Sequence, residues 1–226
     1  METIQVKKTD WKKTKLNTEG YHVHNDILPL PLLKVIETHF NILETTAVIA
    51  DPYNIENNEQ SDSEGDFSGT HLDLQVKGSR TIHGDTVTDS LLSYMTPIFS
   101  EIAGVPLVPT YSFFRFYNTG QQLLKHSDRI ACEYSATIPI AYSDIWPIWL
   151  TDFNGIDKSV DLALGDVLFY KGCSVPHWRE PFEGEWAYQV FLHWVDVETA
   201  KSRPETLFDG RENIGADRPC TNERTV

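Results

Sequence analysis

Arg115-Phe116-Tyr117-Asn118-Thr119-Gly120-Gln121-Gln122-Leu123-Leu124-Lys125-His126-Ser127-Asp128 is the stretch on which the reading of this chain turns. It starts in an aromatic run of extended character, breaks at Gly120 and ends in His-x-Asp. On an extended segment residues i and i+2 share a face, so the His126 imidazole and the Asp128 carboxylate are presented together. Two ligands do not make a metal site. A third is available in His177, at the end of a run preceded by the turn-like Lys171-Gly172-Cys173. Two histidines and one carboxylate form the facial triad that holds non-haem Fe(II) and leaves coordination positions open. Imidazole and carboxylate suit that metal, whereas thiolates would favour zinc or an iron–sulfur centre.

Around this stretch the pattern is extended. Short runs rich in aromatic and β-branched residues predict strands over Tyr111 to Tyr117, Glu133 to Ile140, Ile148 to Thr151, Ala163 to Tyr170, Ser174 to Arg179 and Trp186 to Val195. Gly120, Gly155, Gly165, Gly172 and Gly184 lie between or beside them. Upstream the period is helical. Leu32, Leu33, Ile36 and Phe40 predict a helix over Pro31 to Leu43. Leu91, Leu92, Met95, Ile98, Phe99 and Ile102 predict a second, capped by Thr88 or Asp89, closed at Gly104 and weakened by Pro97. Two leading helices followed by many short strands indicate a mainly β fold, an antiparallel barrel or jelly roll with helices packed on one side.

The same stretch resembles the prolyl-4-hydroxylase-like branch of the Fe(II)/2-oxoglutarate dioxygenases, in which a tyrosine followed by Gly-Gln precedes His-x-Asp. Gly165-Asp166-Val167-Leu168-Phe169-Tyr170 looks like that family's Gly-Asp-aliphatic-aromatic strand ahead of the second histidine. Glu183-Gly184-Glu185-Trp186 looks like its turn into the last strand. The resemblance spans roughly residues 105–196. It implies a cupin-like double-stranded β-helix with N-terminal helices on one sheet, and Fe(II) held by His126, Asp128 and His177. It also implies 2-oxoglutarate and O2 as co-substrates, with ascorbate as a candidate accessory reductant. The reaction it implies is hydroxylation of a C–H bond in an amino-acid-like or peptidyl substrate, prolyl among them, with release of succinate and CO2.

One departure stands out. The family places a Lys or Arg on the last strand to pair with the distal carboxylate of 2-oxoglutarate, and none of residues 185–191 here is basic. A buried carboxylate needs a cation or several donors, so another residue must supply them. Arg179 comes first, since it shares a strand face with His177 and a guanidinium grips a carboxylate through two parallel bonds. A structural ion pair with Glu180 or Glu133 is its bland alternative. Arg129 and Arg115 follow, and Tyr117 aligns with a tyrosine that donates to the co-substrate carboxylate in the family. Trp149, Trp178 and Gln189 are candidates for the pocket wall. His193 is read as a hydrogen-bonded structural residue, and Cys132 and Cys173 as small core or loop residues.

Composition narrows the partners. The 226 residues carry 33 Asp and Glu against 19 Lys and Arg, a net charge of −14 that repels phosphate backbones and speaks against nucleic acid. The lysines from Lys7 to Lys15 read as a solvated terminus. No apolar run is long enough to span a membrane, and the start lacks the apolar core of a signal peptide. Three scattered cysteines exclude a disulfide framework, so a reducing, cytoplasmic setting is expected. Residues 51–69 hold six acidic and no basic residues among Asn, Ser and Gly, and read as a loop. The expected organisation is one domain over 1–226, with a helical and loop region at 1–104, the catalytic core at 105–196 and an extended tail at 197–226. A small molecule or peptide is the expected partner, and nothing in the sequence sets an oligomeric state. The competing function is a cupin-like protein using Zn or Mn for hydrolysis, isomerisation or ligand binding.

Overall fold

A computed structural model describes residues 15–50, 71–72, 76 and 79–215. Its frame is a long antiparallel pair, β4 (Leu107–Asn118) and β11 (Trp186–Asp196), in register from Trp186 opposite Asn118 to Asp196 opposite Leu107. Successive side chains on a strand point to opposite faces. Phe114, Phe116, Val190, Leu192 and Trp194 therefore share one face and join the main apolar core. Tyr111, Arg115, Tyr117, Gln189 and His193 share the other.

The remaining strands extend this pair into two sheets. They are β1 (Tyr21–His24), β2 (His71–Leu72), β3 (Arg80–His83), β5 (Leu123–His126), β6 (Tyr134–Tyr142), β7 (Ile148–Thr151), β8 (Asp157–Val160), β9 (Val167–Tyr170) and β10 (His177–Arg179). A seven-stranded sheet runs β1-β9-β6-β11-β4-β3-β2, and a four-stranded sheet runs β5-β10-β7-β8. Every pairing is antiparallel. The inner faces meet where Leu123 packs with Tyr117, Ala187 and Phe191, and where Ile148 and Leu150 pack with Leu168 and Tyr170. This is a double-stranded β-helix, with its helices on the outer face of the larger sheet.

Helix α1 (Leu16–Glu19) leads into β1, and the expected first long helix is α2 (Leu30–Ala50), which runs beyond Leu43. Its buried Leu33, Ile36 and Phe40 meet the large sheet, where Phe40 stacks on Phe114. Helix α3 (Thr86–Ala103) starts earlier than Thr88 or Asp89 would allow as caps. Asp85 is the cap, accepting from the Val87 and Thr88 N–H groups at 2.8 and 3.2 Å. The helix continues through Pro97 and closes at Gly104 in the left-handed region, φ 74°.

Several expectations change. The strands expected from Ala163 and Ser174 begin only at Val167 and His177, because turns occupy the residues before them. The tail is not extended. Helix α4 (Val197–Ser202), capped by Asp196, and a 3-10 turn (Pro204–Gly210) bring Arg211 into the protein. There its buried guanidinium pairs with Asp89, which also accepts from Ser112 Oγ at 2.7 Å and the Gly215 N–H at 2.9 Å. The acidic stretch 51–69, the lysines from Lys7 to Lys13 and Cys220 lie outside the described residues. Among those described, no helix is long and apolar enough to cross a membrane.

Candidate metal centre

Strand β5 ends on His126 and β10 begins on His177, and the two residues are register partners. That pairing sets the imidazoles side by side, with ring centroids 4.4 Å apart. Asp128 lies just beyond β5, where its N–H donates to the Gly172 carbonyl at 2.9 Å. Its Oδ1 stands 3.6 Å from Nε2 of both His126 and His177. The three donor atoms fall within 4.8 Å of one another.

Each ring is oriented from behind. His126 Nδ1 donates to the Leu124 carbonyl at 2.8 Å, and His177 Nδ1 donates to the Val175 carbonyl at 3.0 Å. A proton held at Nδ1 leaves the Nε2 lone pair for the shared centre, the tautomer a metal requires. Ser135 Oγ donates to Asp128 Oδ2 at 2.8 Å, which leaves Oδ1 facing the histidines. Gly172 is required here: a Cβ would run into the Cys132 carbonyl, Asp128 Oδ2 and Ser135 Oγ. Geometry and donor chemistry both fit a divalent cation of the Fe(II) kind.

The electrostatics agree with three groups that share a centre. Burial would raise the Asp128 carboxyl, but the His126 bond, the neighbouring His177 and His193 and the Ser135 bond hold it below its ordinary value. Burial pushes the His177 imidazole down. His126 is also opposed by burial, yet its bonds to Asp128 and Leu124 carry it upward.

One wall of the site is built from the inner sheet face. Arg179 is 2% exposed and lies over the Trp146 ring, 4.9 Å from its centroid, donating to the Trp146 carbonyl. Its Nε has no partner, and among the described residues no carboxylate reaches it. The ion pair with Glu180 or Glu133 is therefore not formed. Burial without a counter-charge lowers its pKa to about 10. Tyr117 is fully buried, packed edge-on to Trp146 at 4.7 Å, and accepts from Arg115 Nη1 at 3.0 Å. Arg129 is exposed and covers the Tyr111 ring at 4.6 Å. Gln189 is buried on the wall, but Trp149 and Trp178 stack on the opposite, half-exposed side of the small sheet.

The structure adds residues that sequence reasoning passed over. The Tyr170 hydroxyl stands 3.4 Å from His177 Nε2. Ser135 bridges Asp128 and His193, with His193 Nδ1 3.0 Å from its hydroxyl. The signal for Ser135 was a polar residue at an inward position of an apolar strand, with Thr137 two residues on. Asp128, Cys132 and His193 also bring donor atoms within 4.8 Å. Cys132, however, is hydrogen-bonded to the Tyr111 hydroxyl at 3.0 Å, and burial pushes its thiol up, away from the thiolate a metal would need.

Comparison with known proteins places this architecture. No family model matches the chain, and no curated relative matches it. Solved structures do. A prolyl-4-hydroxylase from Pseudomonas putida superposes with a TM-score of 0.58 at 16% identity, over 80% of this chain and 95% of that one. The fold is that of the 2-oxoglutarate/Fe(II) oxygenases. The epimerase SnoN of nogalamycin biosynthesis, solved with Fe3+, alpha ketoglutarate and nogalamycin RO, gives a TM-score of 0.59 at 12% identity, over 83% of this chain and 84% of that one. A Trichoplax adhaerens prolyl hydroxylase, solved with a hypoxia inducible factor peptide, gives 0.53 at 15% identity, over 84% and 89%. Such identities speak for the fold, and the chemistry has to be argued from the site itself.

Proposed function

We propose that this chain is an Fe(II)- and 2-oxoglutarate-dependent oxygenase that hydroxylates a C–H bond of an amino-acid-like or peptidyl substrate, with His126, Asp128 and His177 as metal ligands. One observation carries the reading. Two residues along β10 from His177 lies a buried guanidinium that no carboxylate reaches among the described residues. A cation removed from water without a counter-charge is costly, and an anionic ligand reverses that cost. Arg179 thereby replaces the missing last-strand cation as the anchor for the distal carboxylate of the 2-oxo acid.

Bound Fe(II) would supply the redox chemistry that couples oxidative decarboxylation of the 2-oxo acid to C–H oxidation. The chain's own residues do the rest. The Leu124 and Val175 carbonyls fix the ligand rings, and Ser135 holds Asp128 in a charged, metal-facing orientation. The Tyr170 hydroxyl stands 3.4 Å from His177 Nε2, and Tyr117 shares the Trp146 ring with Arg179. Leu123, Trp146, Phe182 and Phe191 pack with Tyr117 into an apolar cluster that excludes water from this wall.

Anaerobic addition of 2-oxoglutarate to the Fe(II)-loaded protein tests this. A visible charge-transfer band is expected, and Arg179→Met should raise the 2-oxoglutarate concentration needed to form it by about a hundredfold. Iron binding with no band would overturn the reading in favour of hydrolytic or isomerase metal chemistry. An unchanged 2-oxoglutarate requirement in Arg179→Met would move the anchor to Arg115 or Arg129.

A further inference from the structure

The hydroxyl that orients Asp128 is itself oriented. On the large sheet His193 of β11 has Tyr111 of β4 as its register partner on one side and Ser135 of β6 on the other. All three are buried, Ser135 completely and His193 at 6% exposure. Packing holds the His193 ring: its centroid lies 4.5 Å from that of Tyr111, which stacks at 4.6 Å on His83. His193 Nδ1 is 3.0 Å from Ser135 Oγ, and Ser135 Oγ is 2.8 Å from Asp128 Oδ2. The protons on this line have one arrangement. A serine hydroxyl has a single proton and two lone pairs, and an ionised carboxylate only accepts. At 2.8 Å the Ser135 proton has to lie on the bond to Asp128, because two bare oxygens would repel each other there. Ser135 Oγ then accepts from the ring, and His193 Nδ1 carries the hydrogen. Without that donor the hydroxyl has a second acceptor to turn to, the Cys132 carbonyl at 3.4 Å.

We infer that His193 is a positioning residue for the metal: its Nδ1–H fixes the Ser135 hydroxyl, and Ser135 in turn keeps Asp128 Oδ2 engaged so that Oδ1 alone is offered to the ion. This rests on the reading of His126, Asp128 and His177 as metal ligands, and not on the reaction the metal serves. A carboxylate whose second oxygen is engaged binds through one oxygen, whereas a chelating carboxylate takes two coordination positions. The line from His193 thus keeps a position open for a ligand from outside the chain. The histidine that reads as structural in the sequence acts on the centre through one intervening hydroxyl.

The tautomer is read first, on the metal-free wild-type protein, by NMR of 15N-labelled histidine, with the His193 signals assigned by their loss in His193→Asn. A hydrogen on Nδ1 is expected. A bare Nδ1 overturns the inference, since Ser135 would then have to donate to the ring instead of to Asp128. Metal affinity is read next, by anaerobic calorimetry with Fe(II). His193→Phe keeps a ring against Tyr111 and removes the donor, and it is expected to weaken Fe(II) binding by about tenfold. His193→Asn sets an amide N–H near the place of Nδ1 and should bind within about twofold of wild type. His193→Phe combined with Ser135→Ala should lose no more than Ser135→Ala alone, because both changes break one line. Unchanged affinity in His193→Phe, or losses that multiply in the double variant, overturn the inference. If His193→Phe does not fold, His193→Gln takes its place, its amide lying nearer the position of Nε2, and an affinity equal to that of His193→Asn sinks the idea. A wild-type protein that binds no Fe(II) removes the metal-ligand reading itself, a result distinct from all of these.

Discussion

The two faces of the seven-stranded sheet are made by alternate residues of the same strands, yet they follow opposite rules. Outward, Phe114, Phe116, Ile138, Val190, Leu192 and Trp194 interlock with Phe40, Leu92, Met95 and Phe99 of α2 and α3. Inward, Arg115, Thr137, Gln189 and His193 are just as buried but polar, and among the described residues Thr137 Oγ1 and Gln189 Oε1 meet no hydrogen-bond partner. Burial on the first face stabilises. On the second, a buried polar atom costs free energy unless a hydrogen bond meets it. One set of strands thus presents an apolar layer and a polar one by a period of two, and the proposed metal ligands lie on the polar side.

The largest test of that separation is at the ligands. His126→Ala or His177→Ala should lower turnover by about a thousandfold or more while leaving the thermal midpoint within a few degrees. A comparable loss of folding, read by thermal denaturation, would show that the inner face is structural after all. The opposite result is expected of Trp194→Ala, which removes a fully buried side chain from the outer layer. It should cost about 3–5 kcal/mol in urea denaturation, with metal binding by the remaining folded protein unchanged.

A titratable group inside the outer layer sharpens the contrast. His24 is buried on β1, its ring 6.1 Å from Phe99 and 4.5 Å from His22. Burial, with His22 adding to it, lowers its pKa to about 4. The folded state therefore favours neutral His24. The stability this contributes is complete above the ordinary value of 6.5 and is lost as pH falls from there toward 4. The loss should reach about 3 kcal/mol, and His24→Gln should flatten the pH dependence of the thermal midpoint over that interval. The smallest effect belongs to Ser135→Ala, which frees Asp128 Oδ2 from its orienting donor. Metal affinity, measured by calorimetry with Fe(II) under anaerobic conditions, should weaken by about tenfold while the fold holds.

How much of this was legible in the sequence depended on where each residue sits in the sheets. β4, β6 and β11 are central and aromatic-rich, and their pattern announced them. β1, β5 and β8 lie at sheet edges, where the half-exposed Tyr21-His22-Val23, ahead of buried His24, and the more open Asp157-Lys158-Ser159-Val160 carry little apolar signal. Residues 197–215 looked like part of a tail because their anchor is an ion pair, Arg211 with Asp89, and charge pairing across 122 positions leaves no local periodicity. At the centre, His126, Asp128 and His177 could be read because ligand chemistry restricts residue type and their spacing is short or family-like. The wall could not. Tyr170, Ser135, Thr137 and Trp146 are ordinary residues until strand register sets them beside Asp128, Gln189 and Arg179. Arg179 was accessible only because an expected cation was missing elsewhere.

The contact between Arg211 and Asp89 also orders events in time. Asp89 lies in the first half of the chain and its counter-charge near the far end, so during synthesis α3 and β4 emerge long before their buried carboxylate can be neutralised. A chain that ends before Arg211 lacks both the guanidinium and the Gly215 N–H that meet the Asp89 carboxylate. Such a chain would keep His126, Asp128 and His177 and lose the contacts that Arg211 and Gly215 make on Asp89.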